Sequence, residues 1–207
     1  FDKMKEYIKE GYRRGGIITL SWHTNNPITG SNAWDFSNPS IKSIFPGGEH
    51  YATFISYLDK VADFMLDLKG DRGEQIPVLW RPWHEHTGTW FWWGVNSCSD
   101  EEYKELYRFS LEYLQNKGLH NLISVYNTGT EFSTPEEYLK RYPGDEYVDM
   151  LTFDSYQRGD ISGGKKYAEQ LDNWMKILTE TALQQHKIPA IGEMGYDRIP
   201  DPKWFTE

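Results

Sequence analysis

Cys98 is the single cysteine among 207 residues, so no intrachain disulfide can form and the fold must rest on its core. Positive charge is also short. Lys and Arg number 22 against 31 Asp and Glu, a formal net charge of −9, which disfavours nucleic acid and anionic membrane surfaces as partners. No stretch approaches the ~18 consecutive apolar residues that span a bilayer, so no membrane span is expected. No G-x-G-x-x-G follows an apolar run, which removes the usual signal of a dinucleotide cofactor. No linker-like composition shift interrupts residues 1–207, so one domain is expected. A secretory leader is not visible either, because Phe1 opens directly on a helical pattern.

Aromatic residues are what the chain has in excess. They make up 16% of it, with nine Trp and fourteen Tyr, a surplus suited to a flat-ligand or carbohydrate surface as well as to a core. They concentrate in Pro77–Gly94, PVLWRPWHEHTGTWFWWG. An apolar run there delivers Arg81, His84, Glu85 and His86, followed by Trp90, Phe91, Trp92 and Trp93. A strand ending in a carboxylic acid, with imidazoles and flat faces beside it, reads as a sugar-cleaving site. The acid transfers a proton to a glycosidic oxygen, the rings cover the apolar face of a pyranose, and Arg and His bond its hydroxyls. Charged residues in a buried run are paired or put to use. His84 and His86, two apart, could also face one way as in a metal hydrolase, although no carboxylate or lysine cluster accompanies them.

Periodicity predicts helices at residues 2–14 (inward face Met4, Tyr7, Ile8, Tyr12), 51–68, 100–117 and 166–185, with a short one opening at Thr134-Pro135. Ser99 and Thr134 read as N-caps and Gly118 as a stop. Strands are predicted at 17–21, 76–81, 122–126, 148–153 and 188–191, apolar on both faces as in a buried parallel sheet. Residues 22–48 read as a long polar loop, and Trp34 within it stacks a sugar or packs the loop. Trp92 and Trp93 read as core, Asp154 as a buried hydrogen-bond partner, Asp149 and Arg141 as solvated.

Strand–helix alternation implies a (β/α) barrel or an open doubly wound sheet. His23, Glu85, Asn127, Asp154, Tyr156 and Glu193 fall just past strand ends, where a TIM barrel builds its site. Five strands are visible against the eight of a closed barrel. Glu85 and Glu193 lie on different strands, and only a fold that converges strand ends can pair them. Such a carboxyl pair is what glycoside hydrolysis requires. Glu193 could equally be a salt-bridge partner of Arg81.

Taken together, RPWHEHTGTWFWWG, GGIITLSWHTNNPITG, DSYQ and IGEMGY resemble glycoside hydrolase family 26, whose commonest members are endo-β-1,4-mannanases. The resemblance implies a TIM (β/α)8 barrel of which this chain holds the middle strands, about 3 to 7. It implies that Glu85 is the acid/base at the end of strand 4 and Glu193 the nucleophile at the end of strand 7. It places His84 and His23 against the sugar, Trp90 as an aromatic platform, and Tyr156 in a hydrogen bond to the nucleophile. Arg81 and Trp34 join the substrate-binding set. The implied reaction retains configuration, with carboxyls roughly 5–5.5 Å apart, needs neither cofactor nor metal, and takes β-mannan or manno-oligosaccharide. The implied location is secreted, periplasmic or cell-surface. Mixed-linkage β-glucan and β-1,3-xylan are further substrates of the family. A catalytically silent glycan-binding barrel and a metal-dependent amidohydrolase are the readings from other classes.

Overall fold

The computed structural model describes residues 1–206. Five strands lie side by side in chain order, every pair parallel: β1 Ile18–Ser21, β2 Val78–Arg81, β3 Leu122–Thr128, β4 Met150–Gln157 and β5 Ile188–Tyr196. Parallel neighbours need a crossover. Helices α2 Tyr51–Leu66, α3 Asp100–Asn116, α4 Pro135–Tyr138 and α5 Gly164–Gln185 supply one each, while α1 Asp2–Arg13 precedes β1. The result is an arc of a (β/α) barrel rather than a doubly wound sheet, because strand order follows chain order without reversal.

The inner strands β3 and β4 are buried along most of their length, as expected of a sheet covered on both faces. The outer strands differ. β1 alternates between half-buried and exposed positions, and β5 leaves Ile188 61% exposed, since each is paired along one edge only. The predicted caps are present. Ser99 and Glu102 form a reciprocal capping box on α3, and Thr134 Oγ1 accepts from the Glu137 N–H at 3.2 Å. Gly118 closes α3 in the left-handed region that glycine enters without penalty.

Three expectations give way. Helix α1 buries only Ile8, leaving Met4 and Tyr7 exposed; its inward stripe is narrower than the spacing implied. Residues 22–48 are pinned rather than merely polar. Asn26 is fully buried, its Nδ2 donating to the Asp35 carbonyl at 2.8 Å and Asn38 Oδ1 at 2.6 Å, while Ile41 and Ile44 sit in the core. Arg141 is buried instead of solvated. Its guanidinium donates to the carbonyls of His86, Cys98 (2.7 Å) and Ser99 (3.2 Å) and lies 4.5 Å over the Tyr103 ring. One planar, permanently charged fork thus collects carbonyls from a loop that has no ladder of its own to satisfy them.

Candidate active site

At the end of β2 the backbone turns sharply. Trp83 and Glu85 both adopt left-handed conformations, with φ of 54° and 52°. Non-glycine residues enter that region rarely and at a cost of about 1–3 kcal/mol each. The strain is held by long-range bonds. The Glu85 N–H donates to the Asn127 carbonyl at the end of β3 at 3.0 Å, Tyr103 Oη to the Trp83 carbonyl at 3.2 Å, and Trp93 Nε1 to the His84 carbonyl at 2.8 Å. Adjacent side chains therefore part company. Trp83 and His86 enter the core, while Glu85 faces a cleft of about 600 Å³ over the strand ends.

Glu193 reaches the same cleft from β5 through a bulge. Register runs Phe153↔Ile191 and then Asp154↔Glu193, so Gly192 is the extra residue. A side chain there is excluded, because a Cβ would stand 2.2 Å from Asn127 Oδ1 and 2.5 Å from Asp154 Oδ1. Bulges of this kind re-aim a neighbouring side chain. Glu193 Oε1 accepts from Arg81 Nη2 at 2.5 Å and Oε2 from Tyr156 Oη at 2.5 Å.

His23, Trp34, His84, Trp90, Phe91 and Tyr156 line the cleft with the two carboxyls. His23 stacks on Trp34 (5.5 Å, 20°) and meets His84 edge-on at 4.5 Å. Trp90 does more than offer a face, since its Nε1–H donates to Glu85 Oε2 at 2.9 Å.

Arg81 departs from its expected role. It is 4% exposed and does not line the cleft; besides Glu193 it bonds Asp154 Oδ2 at 3.2 Å and the Gly192 carbonyl at 2.9 Å. Its donors face the carboxylates beneath the cleft, so it positions Glu193 rather than meeting substrate. The salt-bridge reading and the strand-end reading of Glu193 thus hold together. His86 does not share a face with His84, being fully buried against Tyr103 (4.0 Å) and Tyr126 (4.8 Å). Among the described residues no group of three or more His, Cys, Asp or Glu is placed to hold a metal, and no helix is long and apolar enough to cross a membrane.

The two glutamates are driven apart electrically. Burial raises Glu85; the Trp90 bond opposes this and the charge of Glu193 adds to it, leaving a net upward shift. Burial also pushes Glu193 upward, but the bonds from Tyr156 and Arg81 and the Arg81 charge outweigh it, so Glu193 lies below the ordinary value. Asp154 is raised to about 7 by burial, against the pull of Arg81. His84 falls to about 3 through burial and the charges of His23 and Arg81, so it serves as a neutral hydrogen-bonding ring.

Thr130, Glu131, Arg158 and Trp174 also line the cleft, and sequence reading missed them. Thr130 and Glu131 lie two and three residues past the end of β3 and carried the same strand-end signal as Asn127. Trp174 lies mid-helix, where nothing local marks it.

The model of glycosyl hydrolase family 26 matches residues 2–205. Among curated relatives, the mannan endo-1,4-beta-mannosidase of Bifidobacterium adolescentis is 37% identical over 197 residues, covering 93% of this chain and 19% of that protein. A GH26 beta-mannanase from Bacteroides ovatus superposes with a TM-score of 0.94 at 45% identity, over 99% of this chain and 59% of that one. A modular endo-beta-1,4-mannanase from Cellulomonas fimi gives a TM-score of 0.90 at 35% identity, over 98% and 46% respectively. The chain thus spans less than two thirds of the length of each of these relatives. With residues 2–205 matched by the family model and nearly the whole chain superposing on solved members, the chain belongs to glycosyl hydrolase family 26.

Proposed function

We propose that this chain is the middle portion of the catalytic domain of a retaining endo-β-1,4-mannanase acting on mannan, glucomannan or galactomannan. One observation carries the reading. Two carboxyls from different strands share a cleft, and their surroundings shift one up and the other down, the division of labour that acid/base and nucleophile need. The mannanase relatives support the substrate.

In the first step ionised Glu193 attacks the anomeric carbon and forms a glycosyl ester, while protonated Glu85 gives its proton to the departing oxygen. In the second step Glu85, now a carboxylate, takes a proton from water; that water displaces Glu193 and returns the anomeric carbon to its starting configuration. Arg81 and Tyr156 aim Glu193 and hold it ionised. His84, His23 and Trp34 form the wall on which a sugar ring and its hydroxyls would rest. Because the substrate is a polymer that must be cut before uptake, we place the enzyme outside the cytoplasmic membrane: secreted, periplasmic or cell-surface.

A silent glycan-binding barrel needs neither glutamate, and both are present in opposed environments. Reducing-sugar release by the full-length protein from mannan, barley β-glucan and β-1,3-xylan is the test. Release from mannan, with β-configured product visible first by NMR, is expected. Release from one of the other polymers alone would reassign the substrate, α-configured product would overturn the retaining mechanism, and no release would favour the binding barrel.

A further inference from the structure

Trp174 belongs to two cavities. It lines the catalytic cleft and also a groove of about 650 Å³ between the loop after β3 and helix α5; Thr130 lines both as well, so the two cavities adjoin. We propose that this groove is a distal saccharide-binding site with Trp174 as its stacking platform, taking a further stretch of the polymer cut in the cleft. The proposal rests on the mannanase reading and extends it.

The surroundings are built for a neutral sugar. Trp174 is half-buried, one side packed against Phe153 at 6.3 Å and 59°. That contact fixes the ring without using its indole N–H, which has no protein partner among the described residues. Gln170, Asn173, Trp174 and Ile177 recur at the spacing that places residues on one helix face, and all four border the groove. Gln170 and Asn173 are exposed, and neither side chain has a hydrogen-bond partner among the described residues. Free amides paired with an indole suit vicinal hydroxyls above the apolar face of a ring. An anion would find no free cation here, since Lys176 is paired with Asp172 at 2.6 Å and Glu180 adds negative charge. Adjacency to the cleft selects the occupant: a polymer held in the cleft extends past Thr130 and Trp174, which border both cavities.

The test compares substrates of different length on the full-length protein. Trp174→Ala and the surface double variant Gln170→Ala/Asn173→Ala should lower kcat/KM on long mannan about three- to tenfold, through KM, as expected for one lost stacking contact. The Gln170→Ala/Asn173→Ala variant, whose residues border the groove and not the cleft, should leave an aryl mannobioside, too short to reach the groove, unchanged; Trp174→Ala, which borders both, is read on long mannan alone. Trp174→Phe keeps packing on Phe153 and should recover most of the loss. Equal losses on both substrates, or none on either, would overturn the groove assignment while leaving the mannanase reading intact. A wild-type protein silent on mannan would overturn that reading instead. Retardation of the same variants in polysaccharide-containing gels would then decide the groove, weaker retardation than wild type upholding it and equal migration refuting it.

Discussion

Glu85 sits in a left-handed conformation that its side chain does not favour, between Trp83 in the same strained region and a backbone bond to Asn127. The strain persists because the surrounding bonds over-determine it, and its product is a carboxyl aimed across the cleft. Replacing Glu85 with Ala should slow mannan cleavage by about 10²–10⁴-fold, the usual contribution of general acid–base catalysis. Substrates with an aryl leaving group of low pKa, which departs without a proton, should be largely spared in the first step. Azide should restore turnover and give a β-mannosyl azide. Equal losses on activated and natural substrates would indicate a structural Glu85.

Tyr156 carries a second expectation at this scale. Its hydroxyl and Arg81 hold Glu193 below its ordinary value; the nucleophilic role proposed for Glu193 needs it ionised, so activity should fail as pH falls through the Glu193 pKa. Removing the Tyr156 bond in Tyr156→Phe raises that pKa. The acidic limb of kcat/KM should then move up by about one to two pH units, since a hydrogen bond to a charged group is worth about 1.5–3 kcal/mol. The alkaline limb, set by Glu85, should stay in place. A profile displaced at its alkaline limb, or at neither, would contradict the arrangement.

Among the elements, the loop between β2 and α3 brings His84, Glu85, Trp90 and Phe91 to the cleft and has no ladder of its own. Arg141 holds it, with Trp92 joining it to residues 22–48 through bonds to the Ala33 and Thr24 carbonyls at 3.1 Å each. Arg141→Met should lower stability by about 3 kcal/mol or more, because several buried carbonyls lose their donor. For a chain of this size that is a fall in Tm of about 6–12 °C by calorimetry. A fall under about 2 °C would show that water or neighbouring groups replace the guanidinium. Here the limit of sequence reading is plain. Ser99 and Thr134 announce their caps through neighbours three residues away, whereas Arg141 is defined by carbonyls more than 40 residues distant. The bulge at Gly192 is hidden for the same reason: a glycine in IGEMGY does not say that Asn127 and Asp154 crowd it.

For the whole molecule, the alternation of apolar runs and helical stripes was enough to read parallel strands with a polar rim, because those periods are local. Convergence of Glu85 and Glu193 is a property of the curved sheet, and in the sequence it was available only through family resemblance. The central claim is that the arc of strands brings these two residues together as acid/base and nucleophile. Incubating the full-length enzyme with a 2-deoxy-2-fluoromannosyl substrate bearing an activated leaving group, then mapping peptides by mass, tests it most directly. The expected result is a single covalent label on Glu193, formed at the rate of enzyme inactivation and absent in Glu193→Gln. A label on Glu85 or Asp154, or turnover of mannan to α-configured product with no label at all, would contradict it.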